Sequence, residues 1–213
     1  MKHGPTNTRF LREKKSSLKL TPLQRDFIIG TILGDGCLIT SRSGESARLQ
    51  VRQKAKYHEF VSWKYNFFKE WIMTKPRYDR YNDSAVFQTI SHPDLMEIKK
   101  LFYQDNIKII PENIKDLLIN PLSLAIWFMD DGNGYKKYPY LRLSTYAFKE
   151  RGNELLQICL KENFGLSSRI VDSSKGNYLY FLKDYALKLY KLIKPYVIPC
   201  MEYKFIKVKS ITP

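Results

Sequence analysis

The sequence predicts an α+β protein of two pseudo-symmetric αββαββα halves, with paired helices at their interface and a saddle formed by two antiparallel sheets. Three observations predict it. Two apolar helical segments, Ile28-Ile29-Gly30-Thr31-Ile32-Leu33-Gly34-Asp35-Gly36 and Leu124-Ala125-Ile126-Trp127-Phe128-Met129-Asp130-Asp131-Gly132, each end in a carboxylate followed by glycine. The stretches after them repeat the order helix, hairpin, helix, hairpin, helix with a period of about ninety residues. A length of 213 residues with 44% hydrophobic and 14% aromatic content is ample for a buried core.

Each motif helix carries start and stop signals. Thr21-Pro22-Leu23-Gln24 reads as a capping box with proline at the first helical position, and Asn120-Pro121 repeats the N-cap and proline. The glycine past each helix is expected to supply a left-handed turn, so that Asp35 and Asp131 fall where unpaired carbonyls make the potential negative. An acid is disfavoured there by about 0.3–1 kcal/mol. Two matched placements therefore point to a cation where the helix ends meet.

Strand-like stretches follow at 48–54 and 140–144. Period-two alternation puts Arg48, Gln50, Arg52 and Lys54 on one face of the first and Leu49 and Val51 on the other. An aromatic helix is expected over 60–71, as core packing, with its counterpart over 155–164. Further strands are expected near 77–81, 85–90, 169–172 and 178–182, and closing helices at 92–102 and 184–192. Ile110-Pro111 and Ile198-Pro199 end the two copies alike. The division is a basic arm (1–20) and half-domains 21–118 and 119–213. Gly30 and Gly34, one turn apart, leave a smooth strip for the second motif helix to approach in parallel.

Composition narrows the partners. The 36 Lys and Arg residues against 21 Asp and Glu give a net charge of +15, which points to a polyanion, nucleic acid first. No apolar run of membrane-spanning length and no secretory signal is present, so no membrane partner and an intracellular location are expected. Cys37, Cys159 and Cys200 lack metal or disulfide spacing and read as reduced thiols. His3, His58 and His92 are scattered, as surface or packing residues. The chemistry is left to carboxylates and lysines, as in a metal-dependent nuclease.

The two nonamers, the Trp127-Phe128-Met129-Asp130-Asp131-Gly132 wording and the duplicated order resemble the LAGLIDADG homing endonucleases, in the single-chain, two-motif, intron-encoded branch, over about residues 20–210. The first motif departs from the family name at Thr31 and Leu33, but its eighth place is Asp35; in the second that place is Asp131. The resemblance implies a monomeric, site-specific double-strand DNA endonuclease for intron homing that leaves staggered ends with 3′ extensions. It assigns catalysis and metal binding to Asp35 and Asp131, and Mg²⁺ as cofactor, with Mn²⁺ able to substitute. Lys108 and Lys204 look like the basic residues typical near such metal centres. Asp130 stands where the first copy has Gly34; surface, capping and metal-contact roles are all open to it. The host compartment is open between organelle and prokaryotic cytoplasm.

The chemistry suits these residues. Mg²⁺ prefers hard oxygens and is often held by one or two carboxylates, with phosphate and water completing the shell; helix-end carbonyls are natural extra ligands. Arg48, Gln50, Arg52, Lys54, Gln88, Arg142, Arg169 and Tyr180 are the DNA-contact candidates on the polar sheet faces, because Arg and Gln can each make two hydrogen bonds to one purine. The alternative is an RNA-binding splicing maturase, with host intron RNA as partner, on the same saddle. Two carboxylates facing a polyanion favour the enzyme.

Overall fold

The computed structural model describes residues 8–135, 137–205, 208 and 210. In the basic arm, Thr8–Ser17 form helix α1, while residues 1–7, with His3, lie outside the described residues. Helix α2 (Pro22–Leu33) starts at its predicted cap: the Gln24 N–H donates to Thr21 Oγ1 at 3.1 Å, and the Thr21 N–H donates to Gln24 Oε1 at 3.2 Å. Strands β1 (Cys37–Thr40) and β2 (Ala47–Lys54), helix α3 (His58–Asn66), strands β3 (Arg77–Asp79) and β4 (Ser84–Gln88) and helix α4 (Pro93–Phe102) follow. The strands form one antiparallel sheet in the order β1-β2-β4-β3.

A small hairpin comes next, β5 (Tyr103–Gln104) and β6 (Ile107–Lys108), and then a single helical turn α5 (Ile114–Leu117). Sequence periodicity misses all three because they are too short to show a repeat. The hairpin turns at Asp105 and Asn106, whose φ values of 51° and 62° are the left-handed pair that a tight two-residue loop uses.

The second half repeats the plan. Helix α6 (Pro121–Asp131) begins with the Asn120 side chain accepting from the Leu122 N–H at 2.9 Å. Strands β7 (Gly132–Gly134) and β8 (Leu141–Ser144), helix α7 (Glu150–Phe164), strands β9 (Arg169–Val171) and β10 (Tyr178–Phe181) and helix α8 (Lys183–Ile193) follow, and the sheet order is β7-β8-β10-β9. Short 3₁₀ turns at Lys194–Tyr196 and Pro199–Phe205 carry the chain back to the interface. The expected aromatic helix is shorter than predicted: α3 stops at Asn66 and a separate turn, Lys69–Trp71, completes it. Phe60, Val61, Phe68 and Trp71 are core, as expected. Among the described residues no helix is long and apolar enough to cross a membrane.

Residues 27–33 of α2 and 122–129 of α6 are buried on all sides, where the two helices pack on each other and under the sheets, and are therefore mostly apolar. They run in the same direction. At their starts Asn120 Nδ2 donates to Asp26 Oδ2 at 2.8 Å and Ser123 Oγ donates to the Asp26 carbonyl at 2.7 Å. At their ends Gly34 lies against Asp130. The glycine strip works as predicted: a Cβ on Gly30 would stand 2.3 Å from the Ser123 carbonyl oxygen, and one on Gly34 would stand 2.5 Å from the Asp130 side chain.

The stop signals work differently from the sequence expectation. Neither Gly36 nor Gly132 (φ −73°), the glycine after each motif aspartate, has the positive φ of a left-handed turn. The glycines serve close approach: a Cβ on Gly36 would meet Thr31 Cγ2 at 2.3 Å, and one on Gly132 would meet the Phe128 carbonyl oxygen at 2.4 Å. Asp131 is the last residue of α6, whereas Asp35 lies just beyond α2, in the turn.

The helix contact makes Gly30→Ala a sharp test. Alanine gains up to about 1 kcal/mol of helix propensity over glycine. Forcing a methyl onto a backbone carbonyl costs about 1–3 kcal/mol, and this carbonyl belongs to a second buried helix that cannot retreat. A net loss of stability is expected in urea unfolding, and an unchanged or raised midpoint would refute the close helix contact.

Candidate active site where the motif helices end

Asp35 is solvent-exposed at the end of α2 and Asp131 is partly buried at the end of α6. Burial, together with the negative charges of Asp35 and Asp130, pushes the Asp131 carboxyl up to about 7, while the ammoniums of Lys204 and Lys108 act against that rise. The three acids thus share one electrostatic environment. The proposed convergence of the two motif aspartates needs this neighbourhood.

Lys108 and Lys204 occupy matching places. Lys108 Nζ donates to the Gly34 carbonyl at 2.8 Å, and Lys204 Nζ donates to the Asp130 carbonyl at 2.7 Å. Each ammonium therefore holds the carbonyl one residue before a motif aspartate. Burial pushes both ammoniums below the ordinary lysine value, and the charges of Asp35, Asp130 and Asp131 oppose that shift. The β5–β6 hairpin delivers Lys108, and the last 3₁₀ turn delivers Lys204. Lys108 precedes its Ile-Pro and Lys204 follows its own, so the sequence repeat does not align them. The helix-end carbonyls expected as extra metal ligands are, at Gly34 and Asp130, already engaged by these lysines.

Asp130 is neither a surface cap nor a free ligand. Its side chain is 0% exposed and pairs with Lys64, also 0% exposed, at 2.7 Å. Burial pushes the Asp130 carboxyl up, and the Lys64 charge opposes it. Gln53 Nε2 donates to Asp35 Oδ2 at 2.7 Å and to Asp130 Oδ1 at 3.0 Å. Sequence reasoning missed Lys64 and Gln53. Lys64 was hidden inside an aromatic, core-forming helix, and Gln53 stands on the inward-facing register of β2, where alternation predicts an apolar residue.

The donor set fits a hard divalent cation. Among the described residues no group of three or more His, Cys, Asp or Glu side chains forms a self-contained cage. Two carboxylates in one shared site are what an ion needs if it keeps water and takes phosphate as a further ligand. The histidines stand apart from this chemistry. His58 is exposed, and buried His92 caps α4 by accepting from the Asp94 N–H at 3.1 Å. All three cysteines are free thiols.

The DNA-contact candidates fall on one face of each sheet, in cross-strand rows. In the first sheet Cys37 pairs with Gln50, and Gln50 with Gln88; in the second, Asn133 pairs with Arg142, Arg142 with Tyr180 and Tyr180 with Arg169. Arg48, Lys54 and Arg169 are exposed. The others have protein partners. Gln88 donates to Gln50, and Arg52 donates to Asp79 at 2.7 Å and to Ser84 at 3.0 Å. Asn82 and then Arg52, by hydrogen bonding, hold Asp79 down at about 2. Arg142 lies 6.0 Å from the Tyr135 ring centroid and 5.7 Å from that of Tyr178, with its Nε unpartnered. Tyr180 packs at 5.9 Å from Tyr135 and 5.4 Å from Tyr140. The second face is thus lined with tyrosine, which the sequence reading did not single out apart from Tyr180. The alternating Tyr178 and Tyr180, with Tyr138 and Tyr140, carried that signal.

Comparisons with known proteins agree with this geometry. A probable intron-encoded endonuclease 1 of Wickerhamomyces canadensis is 31% identical over 216 residues, covering 95% of this chain and 92% of that protein. The cytochrome b mRNA maturase bI2 of Debaryomyces hansenii is 24% identical, over 86% of this chain and 74% of its own length. The solved structure of the homing endonuclease I-WcaI bound to its DNA recognition sequence superposes with a TM-score of 0.85 at 28% identity, covering 95% of this chain and 94% of that one. Residues 25–189, which carry both motif helices and both sheets, match the LAGLIDADG DNA endonuclease family, and the chain belongs to that family.

Proposed function

We propose that this chain is a site-specific double-strand DNA endonuclease of the intron-homing kind, cutting by phosphodiester hydrolysis to leave staggered ends with 3′ extensions. The observation that carries the reading is the twin site: two aspartates at the ends of parallel helices, each preceded by a carbonyl that a lysine ammonium holds. Half-domains 21–118 and 119–213 each contribute one aspartate, one lysine and one sheet, so a single chain supplies both halves of the saddle.

A divalent cation is the cofactor, and Mg²⁺ the ion that this oxygen donor set favours. Asp35 and Asp131 would hold it, and when bound it polarises the scissile phosphate and makes the attacking water more acidic. Lys108 and Lys204 each spend one N–H on a main-chain carbonyl and keep two donors for water and phosphate oxygens. Their fixed positive charge stabilises the charge that develops on phosphate in the transition state. Gln53, donating to Asp35, fixes the direction of that carboxylate. Arg48, Lys54 and Arg169 meet the duplex first, because they are exposed and unburdened by the sheet contacts that occupy the others. Gln50, Gln88, Arg52, Arg142 and Tyr180 read bases by exchanging their present partners for base edges.

Incubating the protein with a randomised duplex library and Mg²⁺ tests this reading. Cleavage of a defined subset is expected, lost in chelator, with binding that weakens with salt at a log–log slope of about −0.9 per neutralised phosphate. The maturase relative favours one other reading, a splicing helper on the same saddle. Absence of cleavage from every library member together with tight binding to folded intron RNA would establish that reading instead.

A further inference from the structure

The buried Lys64–Asp130 pair joins the two halves, Lys64 from α3 of the first and Asp130 from α6 of the second. Lys64 Nζ meets both carboxylate oxygens, at 2.8 and 2.7 Å, and lies 4.4 Å from the Phe60 ring centroid. Removing two charges from water to pair them gives little net stability over apolar side chains of similar volume. Its consequence is geometric.

The pair has no mirror image. Asp130 and Gly34 each stand one residue before a motif aspartate, so the place of one carboxylate is taken by a glycine in the other half. The sheets give the remaining equivalences. Cys37 and Asn133, each two residues past its aspartate, pair with Gln50 and Arg142. Counting on from that register, Gln53 corresponds to Thr145 and Lys64 to Leu156. Thr145 Oγ1 is turned to Asn153 and to the Asn177 carbonyl, and Leu156 is fully buried in the core. The second half thus lacks the ammonium and the amide at the corresponding places.

We propose that the Lys64–Asp130 pair is a positioning device for Asp35 alone, acting through Gln53, so that the two DNA strands are cut by aspartates with unequal support. Asp130 Oδ1 accepts from both Lys64 and Gln53, and the same Gln53 nitrogen donates to Asp35 Oδ2. Lys64 and Asp130 are positioning residues and touch no substrate. The inference rests on the nuclease reading above.

The test is single-turnover cleavage of a duplex target labelled separately on each strand, by the parent, Lys64→Met and the uncharged double variant Lys64→Met/Asp130→Ala, with duplex binding measured alongside. The double variant, which leaves no unpaired buried charge, keeps the test valid should the single variant fold poorly. One strand is expected to be cut about ten- to a hundredfold more slowly in the variants, as small misplacements of a reacting group cause, with the other strand and the binding within about twofold. Nicked duplex should accumulate. Equal slowing of both strands in a folded double variant, or parental rates on both, overturns the proposal and leaves the nuclease reading standing. A parent that cuts neither strand overturns both.

Discussion

Asp35→Asn and Asp131→Asn are each expected to slow double-strand cleavage by on the order of a thousandfold or more while duplex binding stays within about twofold. The amide keeps the shape of the carboxylate and removes the charge that holds a divalent cation. The ammoniums of Lys108 and Lys204, held by the Gly34 and Asp130 carbonyls, remain to meet phosphate. Loss of fold does not mimic the result for Asp131. Burial and two neighbouring acids push its carboxyl up to about 7, so the charged form is disfavoured in the folded protein. The sign follows: a carboxyl raised on folding costs stability as pH climbs from the ordinary carboxylate range through the raised value. At pH 8 in chelator the asparagine variant should therefore melt no lower than the parent. Cleavage time courses, mobility shifts and thermal melts of the three proteins check this, and cutting within tenfold of the parent by either variant would falsify the catalytic assignment.

The second large effect is on stability. Lys64→Met is expected to cost about 3–5 kcal/mol, because it leaves the Asp130 carboxylate in a fully buried site with Gln53 as its remaining donor. Protonation of Asp130, whose carboxyl burial already pushes up, limits the loss at low pH, so the cost should grow with pH. Lys64→Met/Asp130→Ala removes both charges and should recover most of the lost stability, since an apolar replacement of a buried pair is often near neutral. Urea unfolding at several pH values measures all three. A loss under about 1 kcal/mol for the single variant would mean that the pair is solvated, as surface pairs are.

The pair also bears on how the pseudo-symmetry should be understood. Duplication gives each half the same motif helix and sheet, and the molecule then departs from symmetry at the point where the halves touch. A glycine faces a carboxylate there, because only one of two equivalent positions can be filled when helices approach this closely: a Cβ on Gly34 would stand 2.5 Å from Asp130. Tight packing of the motif helices thereby makes the surroundings of Asp35 and Asp131 differ.

Much of this was legible in the chain. Helix starts at Thr21-Pro22 and Asn120-Pro121, the alternation of β2, the repeated order of elements and the placement of Asp35 and Asp131 are local patterns of capping, period and spacing, which neighbouring residues decide among themselves. Lys108 and Lys204 were found through a family likeness, since nothing local distinguishes them from many other lysines. Tertiary structure alone decided that their ammoniums reach equivalent carbonyls from inequivalent sequence positions. It also decided that Asp130 is buried against Lys64 and that Gln53 joins Asp130 to Asp35. Gly30 and Gly34 too took their meaning from the fold, which sets them against Ser123 and Asp130 of the second motif helix. The physical reason is common to all of these: a charge or a missing Cβ has its role set by what lies across a packed interface, and the residues that meet there are far apart along the chain.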